Sequence, residues 1–419
     1  MASHWSLKKR SLFCLKIDQK NRPCDFCDLL VGGSVVIMDE NKAAYVKRYL
    51  NISGEEMFDN SELLLDTLFY RKQVAIQHSP GRKNDRAFMS YARIFDFDSR
   101  QVRTPICKIL SCRPPCTFRY PGGKTFAICL THDVDEIYPT WIHNLLAAAY
   151  GFSRFDFQSI KRYLLWRYRG KNSSPFFNFR DIMELEAKHG AKSTFFFLTS
   201  GSDHIRFRYN VEDIESTISD IADSGWEIGL HGGYYTYNSY RMIQQEKIKL
   251  EEVLGKQILG YRNHYLRFQV PDTWRLLAQA GFKYDTTFGF NDEVGFSNGL
   301  CHPFRPFNPA RDQEIDILEL PLNIMDCALM ELAASEKKAW EIALELIDTA
   351  AEHHGVLTLL WHNNSFHYPP RRGCQNLYEK ILEYGAQKNA WMTSGEEIWR
   401  WWNSGSCFNS GSNNLGPIY

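Results

Sequence analysis

From Thr125 onward the chain alternates short apolar runs with longer stretches of helical periodicity. The runs predict strands at Phe126–Leu130, Ser193–Leu198, Trp226–Leu230, Gln257–Tyr261, Phe282–Asp285, Asp316–Leu320 and Val356–Trp361. Between most of them the spacing predicts amphipathic helices at Phe179–His189, Val211–Ser224, Ser239–Leu254, Asp272–Ala280 and Ser335–His354. Asp272 and Ser335 read as N-caps, since a short side-chain oxygen satisfies the open amides of a first turn. Gly190, Gly225, Gly255, Gly281 and Gly355 read as residues that end helices. Seven strands alternating with helices predict an α/β fold whose parallel sheet is closed or nearly closed into a barrel. A doubly wound open sheet is the alternative, although no Gly-x-Gly-x-x-Gly follows the early strands.

Two regions break this rhythm. Residues 138–174 carry Lys161, Arg162, Arg167, Arg169 and Lys171 among Tyr163, Trp166 and Tyr168, and read as a helical excursion over the barrel mouth with a solvated charged face. Ahead of the barrel, a strand at Ser34–Met38 and a helix at Asn41–Leu50 give way to turn-rich Arg113-Pro114-Pro115 and Pro121-Gly122-Gly123. The chain thus divides into a small N-terminal α+β accessory region (1–120), a barrel (121–403) and a Ser/Asn/Gly-rich flexible tail (404–419).

Composition narrows the function. The 419 residues hold 49 Lys+Arg against 49 Asp+Glu, and the only dense basic cluster is Lys8-Lys9-Arg10. That balance argues against a nucleic-acid partner and against a polyanionic or anionic membrane surface. No run of eighteen apolar residues predicts an integral membrane segment, and Ser11–Leu15 is too short for a signal-peptide core, so a cytoplasmic protein is expected. Eleven cysteines then read as free thiols. Cys24-x-x-Cys27 with Cys107, Cys112 and Cys116 could close a structural zinc site, but the irregular second spacing favours ordinary thiols.

Ionisable residues recur directly after the predicted strands: Asp133 and Asp135, His231, Arg262 and His264, Asp285, and His362. In a parallel barrel these ends converge on one face, where barrel enzymes carry their active sites. Asp133 and Asp135 stand two apart in an extended segment, so they point to the same side, and neighbouring carboxylates call for a cation or a shared proton. Gly232-Gly233 after His231 would let backbone approach a ligand closely. Arg262 can hold a carboxylate, and His362 beside Trp361 is placed for proton transfer. Each signal alone has a bland reading: solvated acids at a turn, a packed histidine, a rim ion pair.

In order, Thr131-His132-Asp133-Val134-Asp135, Glu227-Ile228-Gly229-Leu230-His231, Arg262-Asn263-His264-Tyr265, Asp285 and Leu359-x-x-His362 resemble the five motifs of the polysaccharide deacetylase superfamily (NodB homology, carbohydrate esterase family 4). The resemblance spans roughly 125–400 and is nearest the branch with a Thr-His-Asp-Val-Asp first motif. It implies a distorted (β/α) barrel, complete or incomplete, that hydrolyses a non-peptide C–N bond by removing acetyl groups from an N-acetylated sugar with a divalent metal, commonly zinc. It further implies Asp133 as general base, Asp135 and His231 as metal ligands, Arg262 orienting Asp133, and His362 as general acid tuned by Asp285. The family's second metal histidine corresponds to Tyr235, and His264 stands where proline is usual, so His264 is the candidate for the missing nitrogen ligand. A backbone N–H near Tyr265 would bind the oxyanion, and Tyr235, Tyr265 and Trp361 would bind the carbohydrate substrate. Two alternatives stay open: a metal-free amide hydrolase of the same fold on a non-sugar substrate, and a catalytically silent carbohydrate-binding protein.

Overall fold

A computed structural model describes residues 45, 103, 105, 120–200, 209–308, 310–368 and 372–404. The expected strand at Ser34–Met38 and the cysteines Cys24, Cys27, Cys107, Cys112 and Cys116 lie outside the described residues, as do 405–419. Of the expected helix Asn41–Leu50, only Tyr45 is described; it is helical and buried, donates its hydroxyl to Arg305 O (3.1 Å) and packs on the Phe307 ring.

The fold is a curled α/β half-barrel. Strands β1 (Phe126–Val134), β2 (Thr194–Leu198), β3 (Glu227–Gly232), β4 (Gly260–Asn263), β5 (Tyr284–Asp285), β8 (Leu318–Glu319), β9 (Leu322–Met325) and β10 (Val356–Leu360) form one sheet in the order β8-β5-β4-β3-β2-β1-β10-β9. Every pairing along it is parallel. No strand pairing among the described residues joins β8 to β9, so the barrel stays open there. Strands β6 (Phe307–Asn308) and β7 (Gln313–Glu314) make a separate antiparallel pair.

The central strands are nearly continuous apolar runs because helices and core cover both faces. All nine residues of β1 and all five of β2 and β10 are buried. One edge of β1 pairs with β10, while the other is shared, Phe126–Cys129 with β11 (Ala390–Thr393) and Thr131–Val134 with β2. Strands β9 and β11 are additions to the seven expected from sequence. Their four-residue cores are short, and β9, with its polar Asn323, begins three residues after β8 ends, so the pattern merges with its neighbour.

The helices are α1 (Trp141–Ser153), α2 (Phe157–Arg169), α3 (Phe179–Lys188), α4 (Glu215–Asp223), α5 (Tyr240–Leu254), α6 (Asp272–Gln279), α7 (Asp326–Ala333), α8 (Glu336–Glu352), α9 (Arg372–Gln387) and α10 (Gly395–Asn403). The expected helix from Val211 begins as a 3-10 turn, Val211–Ile214, before α4. Ser335 caps α8 by accepting the Lys338 amide, and Gly255 ends α5 in the left-handed region. Two expected caps are displaced. Pro271 occupies the N-cap of α6, with Asp272 its first residue. At the end of α8 it is His354 that turns left-handed (φ 50°), whereas Gly355 lies where a Cβ would come within 2.1 Å of the Cys301 carbonyl oxygen. No helix among the described residues is long and apolar enough to cross a membrane.

Candidate active site

Strand alternation divides the first motif. Asp133 and Asp135 point to the mouth of the sheet, while His132 points into the core, its Nδ1 donating to Trp361 O (2.7 Å) and its Nε2 2.8 Å from Glu186 Oε1. At the mouth, His231 Nε2 lies 3.2 Å from Asp135 Oδ1 and 3.7 Å from Asp133 Oδ2. His264 Nε2 lies 3.7 Å from the same Asp135 oxygen, and His362 Nε2 is 3.8 Å from Asp135 Oδ2. Residues up to 227 positions from Asp135 (362 − 135) thus meet around its carboxylate.

His231 Nδ1 donates to the Arg262 carbonyl (3.0 Å), which orients Nε2 toward the carboxylates. His264 follows β4 directly. The next two residues, Tyr265 (φ 59°) and Leu266 (φ 50°), take left-handed backbone conformations that cost energy for side chains of this size. Asn263 Nδ2 donates to His264 O and Asn291 Nδ2 to Tyr265 O, which hold this turn. Burial would raise the Asp135 carboxyl. The positive field of His264, and hydrogen bonds from His231 and His264, outweigh it and keep Asp135 well below the usual range.

Arg262 is fully buried, with Nη1 3.7 Å from Asp133 Oδ1 and Nη2 donating to Thr286 Oγ1. Its guanidinium lies over the Phe196 ring, 5.3 Å from the centroid. Asp285 accepts the Thr287 hydroxyl (2.6 Å) and faces Glu319. Burial drives both acids upward, and the charge of Asp285 raises Glu319 further. The carboxylate on His362 is instead Asp326, whose Oδ1 lies 2.8 Å from His362 Nδ1. Asp326 stands at the end of β9, a strand that the sequence pattern does not predict; as one more strand end, it joins the same series as Asp133 and His231.

Other expectations move. Trp361 is fully buried, its backbone N–H donating to Thr131 O and its ring tilted against Tyr378, so it is core rather than a sugar platform. Tyr235, by contrast, is 44% exposed, set edge-on to Tyr234 and near the Arg267 guanidinium. The room at Gly232 is taken by Tyr261, whose Oη would lie 2.0 Å from an added Cβ; the glycine admits a neighbouring side chain, not a ligand. Glu227 sits at the opposite end of β3 from His231, hydrogen-bonded to Thr194 and Tyr284.

The donor set can be tested against a cation. Four ligands about 2.1 Å from a tetrahedral zinc stand about 3.4 Å apart. The 3.2 and 3.7 Å separations around Asp135 Oδ1 match this, and all three donor atoms lie within 4.8 Å of one another. Asp135 Oδ1 is itself buried, and the two imidazole nitrogens that face it lie at 3.2 and 3.7 Å. Two imidazoles and a carboxylate fit a divalent ion such as zinc.

No family model and no curated protein matches the chain. Among solved structures, it is similar to a Mycobacterium smegmatis protein named as a polysaccharide deacetylase (18% identity over 73% of this chain and 98% of that one, TM-score 0.47). It is also similar to PuuE allantoinase (16% identity, 70% and 94% covered, TM-score 0.47). A third likeness is to a Pseudomonas aeruginosa PAO1 protein named as a probable polysaccharide deacetylase (16% identity, 70% and 95% covered, TM-score 0.45).

Proposed function

We propose that the protein is a hydrolase of non-peptide C–N bonds, a metal-dependent N-deacetylase acting on an acetylated sugar or polysaccharide precursor. The observation that carries this reading is the convergence of Asp135, His231 and His264 on one point, with Asp133 on one side and the His362–Asp326 pair on the other. These three residues would hold the divalent ion. When bound, it would polarise the amide carbonyl and acidify water.

The chain's own residues supply the proton traffic. Asp133, oriented by Arg262, takes a proton from the attacking water. His362, held by Asp326, delivers one to the departing sugar nitrogen. The Tyr265 N–H, presented by its left-handed turn, donates to the oxygen that gains charge. Tyr235 offers an exposed ring for the sugar.

The test is metal content and turnover in one preparation. Purified protein should hold about one zinc, cobalt or nickel ion per chain and release acetate from N-acetylated saccharides in a chelator-sensitive way. Acetate release that persists after complete metal removal would favour a metal-free amide hydrolase. Neither metal nor turnover would leave a silent carbohydrate-binding protein.

A further inference from the structure

Ten of the twelve large hydrophobic side chains that stay exposed among the described residues lie between Trp141 and Tyr168. On α1, which carries no Asp, Glu, Lys or Arg, Trp141, Leu145 and Phe152 share one stripe, with Ile142 and Leu146 beside it. Phe155 (79% exposed) and Phe157 continue the surface through the turn, and Leu164 and Tyr168 (89%) extend it along α2. This is not the face that packs on the barrel. Ala147, Tyr163 and Phe176 form the inward side with Tyr368, in a cluster separate from the main core. A soluble surface seldom leaves so many large apolar side chains uncovered within one hairpin.

Charge decides what covers it. Between Trp141 and Ser173 stand Arg154, Lys161, Arg162, Arg167, Arg169 and Lys171 against the single acid Asp156, in a chain whose formal charge is zero. The Arg162–Asp181 and Lys171–Asp213 pairs are exposed and long, at 3.5 and 3.8 Å, and neutralise little. A cavity of about 310 Å³ between the two helices and the loop after β10 is lined by Arg154 and Arg162 against one carboxylate, Asp156, which already accepts the Ser159 hydroxyl (2.8 Å); the two guanidiniums outnumber it and suit phosphate oxygens. A second copy seated two-fold on this face would set cations against cations. Exposed Trp, Phe and Leu interleaved with Lys and Arg instead suit the boundary between acyl chains and anionic headgroups.

We propose that the α1–α2 hairpin seats the protein on an anionic lipid bilayer, its apolar face entering the headgroup boundary and Arg154 and Arg162 meeting lipid phosphate. The balanced total charge argued against such a surface, but the balance is a sum over the chain and the hairpin departs from it. The inference is independent of the chemistry proposed at Asp133, because seating requires neither metal nor turnover.

Flotation of the full chain with vesicles tests it. The protein should float with phosphatidylcholine–phosphatidylglycerol vesicles and much less with phosphatidylcholine alone, and added salt should weaken binding. Leu145→Ser, Phe152→Ser and Tyr168→Ser together should abolish flotation. Lys161→Gln with Arg169→Gln should lower it about tenfold, and these exposed positions keep the test informative if the triple variant fails to fold. Failure of the unmodified protein to float overturns the proposal, as does undiminished flotation of a folded variant. A variant that changes only the oligomeric mass would assign the face to a second copy and overturn it as well.

Discussion

Asp326 holds His362 at two points: its Oδ1 lies 2.8 Å from Nδ1, and its Oδ2 accepts the backbone N–H of the same residue at 3.0 Å. The Ser365 hydroxyl donates to Oδ2 as well (2.5 Å). Three donors from one loop thus fix a fully buried carboxylate, and the ring it orients presents Nε2 toward Asp135. Burial works against protonation of His362. The charge of Asp326 and its hydrogen bond more than offset that and push the imidazole up to about 9.

Asp326→Asn should therefore remove an acid rather than merely loosen a loop. Without the negative charge the His362 pKa falls, so the alkaline limb of the kcat profile moves to lower pH. Turnover near neutrality should drop by about 10²–10⁴-fold, the usual worth of a positioned general acid. A pH–rate profile with an unmoved alkaline limb would count against the assignment.

Metal retention should separate His264 from Asp133. His264→Ala removes one of three donors and should lower metal content measured by plasma mass spectrometry, with turnover lost alongside it. Asp133→Asn should keep the metal and abolish turnover, since the amide oxygen preserves shape but is a poor base. Full metal occupancy in His264→Ala would return the third ligand position to another residue.

Glu227 gives a prediction about stability. Burial pushes its carboxyl up to about 7, against hydrogen bonds from Thr194 and Tyr284. The folded chain then binds this proton more tightly than the unfolded chain, whose ordinary value is 4.5. Stability from this group is fully present below the unfolded value and is lost as pH rises to about 7, a loss on the order of 3 kcal/mol. Glu227→Gln should flatten that slope, which urea unfolding at about pH 5 and about pH 8 would reveal.

Gly232→Ala places a methyl group 2.0 Å from Tyr261 Oη, a fully buried hydroxyl that donates to Asn263 Oδ1. Relief requires β3 and β4 to separate, at a cost of about 1–3 kcal/mol. The lowered thermal midpoint should come with weaker metal binding, because His231 and His264 stand on these two strands' ends.

Much of this site is legible in the chain because strand ends in a parallel sheet share one face. Asp133, Asp135, His231, Arg262 and His264 all stand at or just past the C-terminal ends of β1, β3 and β4, and the structure brings them together. Asp326 escaped because β9 starts with a proline behind it and carries Asn323, which bonds backbone at Gly295 and Thr358 rather than solvent. Trp361 misled for the opposite reason. Its place beside His362 suggested a platform, but strand alternation turns neighbouring side chains to opposite faces, and its ring faces Tyr378. Glycines carry no such signal: whether Gly232 accommodates a ligand or Tyr261 depends on register between strands that are far apart in sequence.

The side chain of Asn363 closes the base of the α1–α2 hairpin. Its Nδ2 donates to Glu136 O on the way in and to Phe176 O on the way out, at 2.8 and 2.9 Å, while the backbone carbonyl of Asn363 accepts Asn178 Nδ2. The hairpin is consequently not a module that can be excised or grafted as a block. Cutting it away would release Glu136 and Phe176, the backbone partners of the residue that follows His362, so a truncated chain would lose the alignment of His362 and its outer appendage together.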